Sequence, residues 1–140
     1  MKNENSEINE LFNEAIKNHK NNKLNEALKL YQNILNKNPN HFESNFYLGT
    51  LFAQGNNLIK ASEFYKKAIE INKNVPDLHS NLGLVLLQLG EIQNAEISIN
   101  KAIQINPNFA MGYNNLGLVN QKLEKYEEAK KFFKKSIELA

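Results

Sequence analysis

Four alanines, Ala27, Ala61, Ala95 and Ala129, stand 34 residues apart with no insertion between them. A fixed period of this length is the signature of stacked supersecondary units, each too small to bury an apolar face alone. Four residues after each alanine comes a large apolar side chain: Tyr31, Tyr65, Ile99 and Phe133. Seven and eight after come Ile34 and Leu35, Ala68 and Ile69, Ala102 and Ile103, Ser136 and Ile137. Offsets of four, seven and eight return to one side of an α-helix, so each alanine marks a helix with one apolar face.

A second helix precedes each of these. Its marker is Leu48-Gly49, Leu82-Gly83 and Leu116-Gly117, again 34 apart, with Ala15 in the glycine slot of the first unit. A small residue there lets two helices approach closely, because no bulk holds them apart. Turn-rich segments lie between, at Asn21-Asn22, Gly55-Asn56-Asn57, Leu89-Gly90 and Lys122 to Lys125. Pro39 and Pro107 fall where a proline stops the second helix, and Pro76 falls where it opens the next one. The spacing predicts helices near 6–20, 24–36, 42–54, 58–71, 76–89, 92–105, 110–122 and 126–139. They form four units, about 8–41, 42–75, 76–109 and 110–140, within one domain spanning 1–140.

Composition excludes several function classes. Hydrophobic residues make up 41% of the chain and charged residues 23%, which suits a folded protein and not a disordered one. The formal net charge is +2, too small to argue for nucleic acid or an anionic membrane. All 17 basic residues are lysine, so the bidentate forks that read guanine and phosphate are missing. With no cysteine there is no disulfide framework, thiol catalyst or cysteine-ligated zinc. The first residues lack the apolar core of a signal peptide, and no apolar run approaches the ~20 residues that span a bilayer. The expected location is the cytoplasm.

These residues resemble the tetratricopeptide repeat family, whose 34-residue pattern is W-x2-L-G-x2-Y, then A-x3-F, then P. The fourth unit supplies Tyr113-x2-Leu116-Gly117 and Ala129-x3-Phe133; the third supplies Leu82-Gly83-x2-Leu86, Ala95-x3-Ile99 and Pro107. The second supplies Leu48-Gly49-x2-Phe52 and Ala61-x3-Tyr65, and the first keeps Ala15, Ala27-x3-Tyr31 and Pro39. Departures are the absent tryptophan, Glu14 in place of leucine, and Asn18 and Asn120 in place of tyrosine. The expected fold is therefore all-α, a right-handed α-solenoid of four helix–turn–helix units with eight antiparallel helices.

The resemblance implies a concave groove lined by the first helix of each unit, taking an extended peptide or a partner helix. Its positions two, five, six, nine, twelve and thirteen face the ligand. The fifth position holds Phe12, Phe46, Ser80 and Asn114; the sixth holds Asn13, Tyr47, Asn81 and Asn115. The ninth holds Ile16, Thr50, Leu84 and Leu118, and the thirteenth holds Lys20, Gln54, Gln88 and Lys122. A side-chain amide both donates and accepts hydrogen bonds, so asparagines at regular intervals can pair with a peptide backbone of any sequence. This ladder is similar to that in the repeat domain of O-linked N-acetylglucosamine transferases. A carboxylate clamp needs several cations converging on the first helices. Only Lys20 and Lys122 occupy groove positions, and Glu43 and Asp77 at the second position oppose an anion.

No catalytic or metal-binding motif appears. His19, His41 and His79 lie in different units, and Asp77 is the only aspartate. His79 fills a slot that the family uses for aromatic packing. The last helix carries Lys125, Lys130, Lys131, Lys134 and Lys135 interleaved with Glu124, Glu127, Glu128 and Glu138, the pattern of a solvated face with ion pairs. No cofactor, metal, nucleic acid or membrane is implied. The expected function is a protein-interaction scaffold that is not an enzyme. The alternatives are the substrate-recruiting N-terminal domain of a larger glycosyltransferase or sulfotransferase, and a scaffold that binds copies of itself. The last helix bears on the third, because Phe132, Phe133, Ile137 and Leu139 are more large apolar groups than the preceding hairpin is expected to cover. Further chain, or a second copy meeting that helix, is the expected remedy.

Overall fold

The computed structural model describes residues 1–140, which form eight α-helices and no strand. They are α1 (Glu4–Lys20), α2 (Leu24–Lys37), α3 (Phe42–Gln54), α4 (Leu58–Ile71), α5 (Pro76–Gln88), α6 (Ile92–Ile105), α7 (Ala110–Lys122) and α8 (Tyr126–Leu139). The expected bounds recur with small shifts. The start of α1 moves back to Glu4 because the Asn3 side chain caps it, accepting from the Ser6 N–H at 2.7 Å. Pro76 opens α5 as its first residue.

The helices pack as two compact units, Met1–Ile71 and Asn72–Ala140, each holding two of the four repeats. Within every hairpin the second helix lays its large residue on the small residue of the first. A methyl group added at Gly49 would come within 2.5 Å of the Tyr65 ring, and one at Gly117 within 2.5 Å of the Phe133 ring. At Gly83 the same methyl would collide with Ile99. Ala15 and Tyr31 take these roles in the first hairpin and are fully buried. The four marker alanines are buried as well. Their absent bulk is what lets the helices close.

Turns within hairpins share one backbone device. Asn22, Asn56, Gly90 and Glu124, again 34 apart, adopt φ of 58°, 59°, 82° and 60°. In this left-handed position the next N–H turns back to the helix, from Lys23 to the Asn18 carbonyl and from Lys125 to the Asn120 carbonyl, both at 2.8 Å. Two further devices close the turns between hairpins. The side chains of Asn38, Asn72 and Asn106 accept from the N–H two residues on, at 3.1, 3.1 and 3.0 Å. The fourth residue of the following repeat then donates to the carbonyl six residues back. Asn45 Nδ2 reaches Pro39 at 3.1 Å, His79 Nε2 reaches Lys73 at 2.8 Å, and Tyr113 Oη reaches Pro107 at 3.0 Å. An amide, an imidazole and a phenol thus do one job, and His79 is more than the packing residue expected from its slot.

The last helix is better covered than the sequence suggests. Phe133 lies on Gly117, and Phe132 stacks on Tyr113 with centroids 6.5 Å apart. Phe132, Phe133 and Leu139 are all half-buried. Of the expected apolar stripe only Ile137 stands free, at 76% exposed. The missing element in the sequence argument is Tyr113, whose ring widens the surface that α7 offers.

Glu124 is the one charged residue among the four left-handed turn positions. That conformation costs an ordinary L-residue about 1–2 kcal/mol and glycine almost nothing, while glycine gives back part of this through chain entropy. Glu124→Gly is expected to raise stability by roughly 0.5–1 kcal/mol in urea unfolding. A loss of stability would show that Glu124 contributes through its side chain instead.

Candidate functional site

In the first unit, side chains from α1, the turn after it, the start of α2 and α3 enclose a cavity of about 540 Å³. Ile16, Leu24 and Tyr47 give it apolar walls, and His19, Lys20, Asn22, Thr50 and Gln54 give it polar ones. His19 ties this wall to the core. Its Nε2 lies 2.8 Å from Gln54 Oε1, and its Nδ1 lies 3.1 Å from the Tyr31 hydroxyl. A carbonyl oxygen can only accept, so Nε2 is the donor to Gln54, and in the tautomer with its proton there Nδ1 accepts from Tyr31. Burial, and secondarily the neighbouring Tyr47 hydroxyl, pushes the Tyr31 hydroxyl well above its usual range, so it stays a donor. Thr50 Oγ1 is already occupied, donating to the Phe46 carbonyl at 3.3 Å and lying 3.1 Å from the Tyr65 hydroxyl.

The sequence-predicted residues of this unit separate into two sets. Ile16, Lys20, Tyr47, Thr50 and Gln54 line the cavity. Phe12 and Phe46 instead build the aromatic layer behind it. Phe12 lies 5.9 Å from Tyr47 and 5.4 Å from His41, and Phe46 lies 5.6 Å from Tyr47 and 6.1 Å from Tyr65, ring to ring. Asn13 is exposed and outside the cavity wall.

In the second unit a shallower cavity of about 380 Å³ lies between α5 and α7. Leu84, Leu87 and Leu118 form an apolar strip bordered by Gln88, Gln121 and Lys122. Four of these six, Leu84, Gln88, Leu118 and Lys122, are sequence-predicted. The asparagines behave differently from a ladder. Asn115 is only 3% exposed, and its Nδ2 donates to Ser80 Oγ at 2.8 Å. Its Oδ1 faces Asn114 Nδ2 at 3.4 Å. Asn115 therefore joins α7 to α5, and the amides left toward solvent are Asn114, exposed, and Asn81, half-buried.

The cavity residues that the sequence reading did not name one by one are His19, Asn22, Leu24, Leu87 and Gln121. Three of them, His19, Leu87 and Gln121, hold the twelfth repeat position, which the resemblance had already placed on the groove face. Asn22 and Leu24 come from the turn and from α2, off the first-helix face, and no first-helix pattern could include them. Each cavity wall carries one formal charge, Lys20 or Lys122, and neither lysine forms an ion pair. No group of three or more histidine and carboxylate side chains gathers in a metal-binding arrangement, and no helix is long and apolar enough to cross a membrane.

Comparison with known proteins agrees with the repeat. A model described as the tetratricopeptide repeat matches residues 76–109 and 110–140, and a second TPR repeat model matches residues 49–90. A search of curated proteins returns no match. Among solved structures, one titled as the crystal structure of MamA has a TM-score of 0.86 at 25% identity, covering 94% of this chain and 77% of that one. MamA 41-end from Desulfovibrio magneticus RS-1 reaches 0.87 at 18% identity, over 94% of this chain and 75% of that one. PilF of Pseudomonas aeruginosa reaches 0.83 at 22% identity, over 94% and 60% respectively. At such identities the likeness is one of fold.

Two substitutions test the internal networks. Asn115→Ala strands the buried Ser80 hydroxyl and is expected to cost about 1–2 kcal/mol in thermal or urea unfolding. Tyr31 gives a pH dependence. A hydroxyl whose folded pKa is raised contributes stability that is complete below the unfolded value of about 10 and is lost as pH rises above it. Urea midpoints are thus expected to fall between pH 9.5 and 11, and less steeply in Tyr31→Phe, which also loses about 1 kcal/mol at neutral pH with the His19 bond. Equal alkaline slopes in parent and variant would refute this.

Proposed function

Because the chain belongs to the tetratricopeptide repeat family, we propose that it is a protein-interaction scaffold whose first-helix faces hold a peptide or a segment of a partner protein. The family fold is typical of such scaffolds. One observation carries the reading to particular residues. In both units the cavity wall draws on the same repeat positions, nine, twelve and thirteen: Ile16, His19, Lys20, Thr50 and Gln54 in one, Leu84, Leu87, Gln88, Leu118, Gln121 and Lys122 in the other. These side chains come from one face of successive first helices and converge. A wall with apolar strips and a few directed polar groups is the usual make-up of a site that takes side chains of another molecule. Nothing in either wall pairs a nucleophile with a base, and the reading assigns binding without chemistry.

Backbone pairing by asparagine falls, in this reading, to Asn13, Asn81 and Asn114, since Asn115 is already committed to Ser80. The glutamines Gln54, Gln88 and Gln121 supply further amides within the cavities themselves.

The test compares immobilised parent and variants for retention of a bound protein. Leu84→Ala with Leu118→Ala is expected to weaken that partner by about 1–3 kcal/mol, tenfold or more, with helical content intact by circular dichroism. Lys131→Glu with Lys134→Glu, on the exposed side of α8, is the comparison pair. Binding abolished by the α8 pair and untouched by the leucine pair would overturn the proposal.

A further inference from the structure

The first unit's cavity has a polarity of its own. Gln54 spends its carbonyl oxygen on His19 Nε2, so the Gln54 amide is held with its NH2 left over. Lys20 adds an ammonium that has no ion-pair partner and is exposed beside the cavity. Thr50 contributes no free proton, its hydroxyl being given to the Phe46 carbonyl. No carboxylate lines the wall, and Ile16, Leu24 and Tyr47 surround these donors with apolar surface. An oriented N–H donor next to an unpaired cation, both at the exposed rim of a recess with apolar walls, is complementary to an anionic acceptor with an apolar neighbour.

We propose that the first unit selects an acidic side chain flanked by an apolar residue within the bound peptide. This rests on the peptide-binding reading above and narrows it. The carboxylate would meet Lys20 Nζ and the Gln54 NH2, while the adjoining apolar group would lie on Ile16, Leu24 and Tyr47. His19 is a positioning residue here: held by the Tyr31 hydroxyl, it fixes which end of the Gln54 amide faces the ligand. A chain-end carboxylate serving as the main anchor calls for several converging cations, and this wall has one, which favours a side chain within the peptide. The second unit has its lysine and glutamines too, but no imidazole there orients an amide.

Two blocked probe peptides test this, acetyl-Ala-Ala-Leu-Glu-Leu-Ala-Ala-amide and its counterpart with glutamine in place of glutamate, titrated into the full 15N-labelled chain. The glutamate peptide is expected to shift the His19, Thr50 and Gln54 signals and to bind roughly fivefold tighter than the glutamine peptide. Lys20→Gln, at an exposed position, is expected to erase that preference. Equal affinities, or a preference that survives Lys20→Gln, would overturn the proposal while leaving the peptide-binding reading in place. A third probe, the glutamine peptide with a free C-terminus, separates the sources of the charge. Tighter binding of that probe than of the glutamate peptide would move the carboxylate to a chain end and also overturn the assignment. Absence of any shift in either cavity with all three probes would remove both readings together.

Discussion

The contact on which the rest of the structure depends is a large side chain seated on a position without room for a Cβ. Tyr65 on Gly49, Ile99 on Gly83 and Phe133 on Gly117 bring the two helices of the last three hairpins to the distance at which their apolar faces close, and Ala15 with Tyr31 takes the same roles in the first. Packing at that distance is unforgiving, because interiors are near crystal density and even one methyl group is felt. The marker alanines act from the other helix, at 0–3% exposure, for the same reason. With that spacing set, the turns follow. A short connection must reverse the chain within a few residues, and each hairpin does it with one left-handed residue at the same place in the period.

Closing the hairpin through one side of the first helix leaves the other side unspent. That is why positions nine, twelve and thirteen are available to line cavities, and why they vary in chemistry where the packing positions do not. The first unit fills them with an isoleucine, a histidine, a lysine, a threonine and a glutamine, backed by an aromatic layer of Phe12, Tyr31 and Phe46 that continues into the wall through Tyr47. The second fills them with three leucines, two glutamines and a lysine. One backbone plan therefore carries two cavity walls of different chemistry. In the first, a hydrogen-bond chain from buried Tyr31 through His19 to Gln54 lets the core determine how a surface amide is turned. No such chain reaches the glutamines of the second.

Asparagine is where the sequence was hardest to read. Its abundance fits a compositional bias, and composition alone gives every asparagine the same weight. The structure divides them by task. Asn38, Asn72 and Asn106 form side-chain turns, Asn22 and Asn56 take the left-handed turn position, and Asn45 donates to two carbonyls although its own buried Oδ1 has no partner. Asn115 bonds to Ser80 across helices. The first two roles recur every 34 residues and were open to a column-by-column comparison. The bond from Asn115 to Ser80 was not, because it joins residues 35 positions apart whose meeting depends on how two helices rotate against each other.

The sequence by itself determined the helices, their ends and their pairing into hairpins. These rest on short-range physics: helical periodicity, the place of proline and glycine, and a size match between residues of adjacent helices that repeats without error. It also determined which face of each first helix was left over, and so most of each cavity wall. Tertiary structure decided what that face contains. It withdrew Phe12 and Phe46 into an aromatic layer, buried Asn115, covered Phe132 with Tyr113, and added Asn22 and Leu24 from outside the first helices. Each outcome turns on a side chain reaching a group on another helix or turn, and periodicity along one helix carries no term for that distance.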